Sequence, residues 1–329
     1  MDTGTAYSRS APAPRAATQK SPAGAPLVRG SSKSFHPTAD PDVLLMVCEE
    51  AVHGRGRSAS IPGTGRLREE FCFHFYRILE ARGIETHLAR RYCGRTLEAD
   101  EALQPRGILV RRLDMIALEL IARYIARGQW ADAHKYPLFA QGHVFGRAVF
   151  DCSLKWRRTV VNIDAENLSP AHRLLWSALR RTMPPGIALP ATLTRDDPRV
   201  PPDALIAMHE ASSDPAVRGR LIESLGEWDT LRSLCLAVGG ILRSVLEPAG
   251  FVLEDCKIEA GRVPGNTRAS VVVGDELSPD CMRVRDRSGG SVTKDLFRQR
   301  RSNAQIVEAY STLTDLVRAQ RAAARRDSR

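Results

Sequence analysis

Apolar positions along the chain follow two periods. Leu67, Phe71, Phe75, Ile78 and Leu79 recur at helical spacing and predict an amphipathic helix over 66–82 that stops at Gly83. The stretch 203–250 reads as helix-rich. Its long apolar face is Leu231, Leu234, Cys235, Val238, Ile241, Leu242, Val245 and Leu246, closed by Pro248-Ala249-Gly250. A last helix over 303–324 presents Ile306, Ala309, Tyr310, Leu313, Leu316 and Val317, and its arginine-rich end suits a helix C-terminus. The segment 116–127 also reads as helix, with Leu118, Ile121, Ala122 and Ile125 apolar and Glu119 facing Arg123 at i,i+4. Shorter apolar runs predict strands. Residues 27–48 are hairpin-like around Gly30, Pro37, Asp40 and Pro41, and 108–113 is a strand. Residues 130–186 mix a strand at 159–161 with a helix over 171–181 after the cap Ser169.

The richest pattern lies in 251–300. Phe251-Val252-Leu253 leads into Asp255, Lys257 and Glu259, three polar residues at period two on one strand face. Gly261, Pro264, Gly265 and Asn266 suit a hairpin loop, and the β-branched Val271-Val272-Val273 precedes Asp275 and Glu276. A hairpin brings Asp255, Glu259 and Asp275 together. Clustered carboxylates are costly without a cation, and oxygen ligands suit Mg²⁺. A solvated acidic strand face fits the same pattern, because exposed charges need no special explanation.

Composition narrows the class. At 329 residues the chain accommodates one large domain or two lobes, and its 43% hydrophobic and 26% charged residues are ordinary for a globular protein. A net charge of +10 fits a phosphate-rich ligand, nucleic acid or merely an arginine-rich coding bias. No basic stretch interleaves with aromatics, which argues against nucleic acid as a partner. The odd count of seven cysteines, with no CxxC, argues for reduced thiols in a cytoplasmic protein rather than a disulfide or zinc scaffold. No apolar run is long enough to span a bilayer, so a membrane partner is not expected. Residues 1–24 read as a flexible Ala/Pro/Ser/Gly-rich tail, and 318–329 as a basic tail.

Three blocks carry a family resemblance. D-x-K-x-E-A-G at 255–261, G-D-E-x-S-P-D-x-x-R at 274–283 and K-D-x-F-R-Q at 294–299 resemble, in order and spacing, the D-x-K-x-E-F-G, D-E-x-x-x-P-D-x-x-R and D-K-x-x-x-R blocks of the SAICAR synthetase family. Gly30, Lys33 and Asp40-Pro41-Asp42 resemble that family's ATP hairpin G-K-x-K and the N-P-D that follows it. Residues 83–92 resemble its G-I-x-T-H strand, with Thr86 and His87. Residues 111–128 resemble its adenine hinge and phosphate segment.

The resemblance implies an α+β, two-lobed fold of mainly antiparallel sheets with flanking helices and an ATP cleft between lobes. The N-terminal lobe would span 25–113 and the second lobe 114–317, with 130–186 partly an insertion. It implies an ATP-dependent ligase that activates the carboxylate of an imidazole ribonucleotide as an acyl phosphate for attack by aspartate or another amino acid. ATP and Mg²⁺ would be the cofactors, and a homo-oligomer is left open. Gly30, Lys33, Arg112, Leu113, Met115, Glu259 and Asp275 would bind ATP, with Glu259 and Asp275 holding the metal. Lys257 and Asp255 would be catalytic. Arg123, Gln129, Arg283, Lys294 and Arg298 would hold the substrate phosphate.

The chain departs from the pattern at several points. Ser31 replaces the first hairpin lysine, and Ala260, Thr293 and Arg285 replace a phenylalanine, an aspartate and a tryptophan. The D-x-S-A-x-D-G loop becomes 49–57 with His53 and Arg55, and 189–202 keeps only Thr192 and Asp196-Asp197 of a Thr-Lys/His-Asp loop. With these departures three readings stay open: the SAICAR synthetase reaction itself, a specialised-metabolism paralogue, for instance of nucleoside-antibiotic type with a different acid or amine, and a catalytically dead nucleotide-binding protein.

Overall fold

The structure is a computed structural model and describes residues 25–54, 56–98, 100–127, 140–155, 202–265 and 271–327. The strand at 159–161, the helix at 171–181, Gln129 and the 189–198 loop lie outside the described residues.

The N-terminal part is an antiparallel meander of β1 (Val28–Arg29), β2 (Lys33–Pro37) and β3 (Val43–Cys48), with β8 (Ile108–Arg111) added beside β3. The expected hairpin over 27–48 is therefore three strands. Residues 49–57, expected as a loop, belong instead to a separate hairpin of β4 (Ala51–Gly54) and β5 (Arg57–Ser60). Helix α1 (Thr64–Ala81) covers the sheet with Phe71, Cys72, Phe75, Tyr76 and Leu79, all buried. Gly83, at φ 81°, ends its last turn in a conformation that favours glycine. Residues 83–92, expected as a strand, make isolated bridges, Thr86 to Val273 and Leu88 to Val110, and end in the short β6 (Arg91–Tyr92), which pairs with β7 (Arg95–Thr96).

The second sheet is built on β12 (Val252–Arg262). It pairs antiparallel with β9 (Asp114–Met115), β10 (Leu118–Ile125), β13 (Val271–Gly274) and β14 (Met282–Arg285), while β11 (Val144–Leu154) pairs with β10. Here the sequence reading is overturned: 116–127 is not a helix. Its apolar residues satisfy both periods, and Leu118, Leu120, Ala122 and Tyr124 alternate as well as they follow a helical stripe. Pairing on both edges with β11 and β12 decides the outcome, so Glu119 and Arg123 do not face each other.

Short helices α2 (Pro202–Ala211) and α3 (Pro215–Arg218) precede α4 (Leu225–Leu246), whose first turn is capped by Ser224 Oγ accepting from Glu227 N at 3.2 Å. Leu231, Cys235, Val238, Leu242 and Val245 of α4 are buried against the sheet. Gly239 is needed there, because a Cβ would stand 2.8 Å from the Ala122 Cβ. After the single turn α5 (Asp295–Arg298), helix α6 (Asn303–Asp327) returns to α1. Thr314 Oγ1 donates to Leu67 O at 3.2 Å, and the Arg321 guanidinium stacks 4.9 Å over the Phe73 ring. One apolar core joins both sheets. A smaller one gathers Val52, Ile61, Phe297, Ile306 and Tyr310 under the β4–β5 hairpin. No helix among the described residues is long and apolar enough to cross a membrane.

Candidate active site

A cavity of about 490 Å³ opens between the two sheets. One part of its wall is apolar: Phe35, Leu44, Leu113, Met115, Ile116 and Ala117. Elsewhere the wall is charged, with Lys33, Lys155, Glu259 and Asp275, and Gly30 belongs to the β1–β2 turn beside it. The sequence-predicted Gly30, Lys33, Leu113, Met115, Glu259 and Asp275 therefore share one cavity. Arg112 does not line it. The Arg112 amide donates to Asp42 O at 2.8 Å, and Arg111 lines the wall instead.

Strand geometry sets the charged end. Cys256, Ile258 and Ala260 on β12 enter the core, so Asp255, Lys257 and Glu259 share the opposite face. Glu259 lies opposite Gly274, which brings it beside Asp275 at the end of β13. Asp275 is held at φ 63°, a left-handed backbone that a non-glycine residue adopts at a cost of about 1 kcal/mol or more. Lys33 Nζ reaches Asp275 Oδ2 at 2.8 Å and Glu276 Oε1 at 3.6 Å. Lys257 Nζ bridges Glu119 Oε1 and Glu259 Oε1, each at 3.0 Å, and Lys155 Nζ lies 2.5 Å from Glu259 Oε2.

Proton affinities follow from this packing. Burial pushes Glu259 up, but the ammoniums of Lys257, Lys155 and Lys33 outweigh it and hold the carboxyl well below the usual range. Asp275 goes the other way: burial, then the neighbouring Glu259 charge, raise it. Glu276 is buried too, yet Lys33 and Arg68 hold it at about 2. Burial drives His87, another wall residue, down to about 3, so its imidazole is neutral.

Asp255, expected to join Glu259 and Asp275, lies four residues back along β12, roughly 13 Å at strand rise. Its Oδ2 takes Arg123 Nη1 at 3.1 Å and Arg283 Nη1 at 2.6 Å. Arg123 also forks onto Asp151 Oδ2 through Nε at 2.9 Å and Nη2 at 2.8 Å. Arg283 Nε lies 3.6 Å from Asp295 Oδ2, and Asp295 Oδ1 holds Arg298 Nη1 at 2.5 Å. Three of the expected phosphate ligands thus form one relay, Arg123–Asp255–Arg283–Asp295–Arg298. Lys294 sits apart, 3.4 Å from Asp280, which also holds Arg68 at 3.3 Å.

Sequence reasoning missed Lys155, Asp151 and Arg68. The first two lie on or just after β11, inside a stretch the residues left unassigned. Alternation across 148–154 was their available signal. Arg68 is fully buried although charged, and its place one turn before Phe71 and Cys72 on the packed face of α1 was the clue.

The pair Glu259 and Asp275 fits a Mg²⁺ ion that arrives with a polyphosphate, since Mg²⁺ takes one or two carboxylates plus phosphate oxygens. Among the described residues no group of three or more acidic, histidine or cysteine side chains could hold a metal by itself.

The chain is similar to known proteins over most of its length. A phosphoribosylaminoimidazole-succinocarboxamide synthase of Methanoculleus marisnigri is 27% identical over 295 residues, 87% of this chain and 91% of that protein. The crystal structure of the Ehrlichia chaffeensis enzyme of the same name superposes with a TM-score of 0.64 at 19% identity, over 90% of this chain and 99% of that one. A SAICAR synthetase in complex with ADP superposes with a TM-score of 0.61 at 22% identity, over 88% and 96%. The two structures establish the shared α+β fold. The SAICAR synthetase family profile matches residues 26–178 and 197–313, so the chain belongs to the SAICAR synthetase family.

Proposed function

We propose that the protein is an ATP-dependent carbon–nitrogen ligase that activates the carboxylate of an imidazole ribonucleotide, or an analogue, for attack by the amine of aspartate or another amino acid. One observation carries this reading. A cavity with an apolar part and a lysine–carboxylate part lies beside an arginine relay mounted on the same strand, β12. That is the arrangement needed to hold a nucleotide and an anionic second substrate next to each other.

In this reading Leu113, Met115, Phe35 and Leu44 enclose the base, and Lys33 and Lys155 receive the phosphates. Glu259 and Asp275 would hold a Mg²⁺ ion, which would supply charge neutralisation to the transferring phosphoryl group. Arg123, Arg283 and Arg298 orient the ribonucleotide through its 5′-phosphate, each guanidinium offering a fork of donors. A carboxylate oxygen of the substrate attacks the γ-phosphorus and ADP leaves. The amine then attacks the acyl carbon, phosphate leaves, and the nitrogen gives up a proton. Lys257, held between Glu119 and Glu259, lies between the two substrate regions and stabilises negative charge on the oxygens that move.

The test is ADP release with carboxyaminoimidazole ribonucleotide and each standard amino acid in turn. Release that depends on aspartate supports the housekeeping pair of substrates, and release with another amino acid identifies a different amine. Absence of release with every amino acid, in a protein that still binds ADP, sinks the ligase reading for this acid.

A further inference from the structure

The turn between β1 and β2 is anchored from its far side. Gly30 N donates to Lys33 O at 2.8 Å and closes the turn, while Glu49 N donates to Ser32 O at 2.9 Å. His53 Nε2 lies 2.5 Å from Ser31 O. A carbonyl only accepts, so Nε2 carries the proton. Two consecutive carbonyls of the turn are thereby drawn toward one segment, residues 49–53. Because the peptide is planar and trans, turning the Ser31 carbonyl to His53 points the Ser32 N–H away from the β4–β5 hairpin. Gly30 and Lys33, on either side of these carbonyls, line the cavity.

The contact joins two departures from the family pattern: Ser31 stands where a lysine is usual, and His53 lies in the rewritten loop. The same hairpin braces the other side of the site. A Cβ on Gly54 would stand 2.9 Å from Arg298 Cγ, Arg57 Nη1 donates to Phe297 O at 3.3 Å, and its guanidinium lies 4.8 Å over the Phe297 ring.

We infer that His53 is a positioning residue for nucleotide binding: its ring N–H fixes the 30–33 turn in the conformation that receives the phosphates of a nucleoside polyphosphate, so that a tethered backbone takes over from the side chain absent at Ser31. This rests on the nucleotide reading of the cavity. Backbone amides held in a concave turn are a recurrent anion site, and tethering removes the entropy otherwise lost on binding.

Calorimetric titration of the full chain with ADP, for the wild type and for His53→Ala, His53→Gln and Lys33→Ala, tests it. Loss of one such hydrogen bond should weaken ADP about five- to tenfold in His53→Ala. Glutamine offers an amide N–H at similar reach, so His53→Gln should stay within about twofold of wild type. Wild-type affinity in His53→Ala alongside a large loss in Lys33→Ala overturns the tether and leaves the nucleotide reading standing. Equal weakening by His53→Ala and His53→Gln also overturns it, because packing rather than the N–H would then be at work. Wild-type affinity in Lys33→Ala overturns the nucleotide reading itself, and the tether with it.

Discussion

The two charged regions of the site solve one problem in opposite ways. At the cavity end, Lys33, Glu259, Asp275 and Glu276 are all buried, and each ammonium acts as a compact charge set against carboxylates. At the other end, Arg123 is buried in its fork on Asp151, but Arg283 and Arg298 keep 24% and 28% of their side-chain surface, Arg283 bridging Asp255 and Asp295 and Arg298 holding Asp295 through one nitrogen. Removing one partner of a buried pair leaves an uncompensated charge, whereas a partly exposed pair is relieved by water. The first region should be intolerant of substitution. The second should be adjustable, which suits a part of the site whose partner can change.

The largest test of that contrast is Asp275→Asn. It keeps the shape and removes the charge that Lys33 and, in the proposed mechanism, the metal require. ADP release should fall by about 10²- to 10³-fold. Full turnover in this variant would refute the metal assignment.

Next is the response to acid. His87, in the cavity wall, has its folded-state value depressed to about 3 from 6.5 by burial. Its neutral form is the one the fold accepts, so its contribution is complete above pH 6.5 and is lost as pH falls toward 3. Unfolding free energy should drop by about 1.4 kcal/mol per pH unit in that window from this one proton. Denaturant titrations at pH 7, 6 and 5 measure the slope, and His87→Asn should flatten it. A slope unchanged by that variant would remove acid sensitivity from the cavity wall.

The smallest effects belong to the arginine relay. Arg283→Gln should raise KM for the ribonucleotide about tenfold with kcat nearly unchanged, since one charged hydrogen bond is worth about 1.5–3 kcal/mol. Asp295→Asn should lower the same KM by about two- to threefold, because Arg283 and Arg298 would no longer share a partly exposed acid with the substrate. Opposite signs in one assay would establish the relay as a tuning element. Like signs would reduce it to scaffold.

Much of the fold is legible in the residues, and the reason is length. The faces of α1, α4 and α6 repeat over enough turns for period 3.6 to exclude period two. In 118–125 eight residues fit both, and only the neighbours β11 and β12 decide. The site divides similarly. Lys33, Glu259 and Asp275 sit in motifs with local spacing. Lys155 and Asp151 enter through β11, whose pairing partner is some thirty residues away. No local pattern announces such a residue. It becomes visible only when the sheet closes. Arg112 shows the same limit at finer scale, since one step along the chain decides whether Arg111 or Arg112 turns to the cavity.

The packing of α6 on α1 bears on how the chain is made. The outer face of α1 waits for a helix that begins more than two hundred residues later, and Arg321 and Thr314 complete contacts to Phe73 and Leu67. At ribosomal speeds of about 5–20 residues per second that face stays bare for roughly 10–45 s. The nascent chain therefore carries an exposed aromatic surface until that helix emerges. Its yield in a cell should depend on what shelters that surface before the last helix emerges.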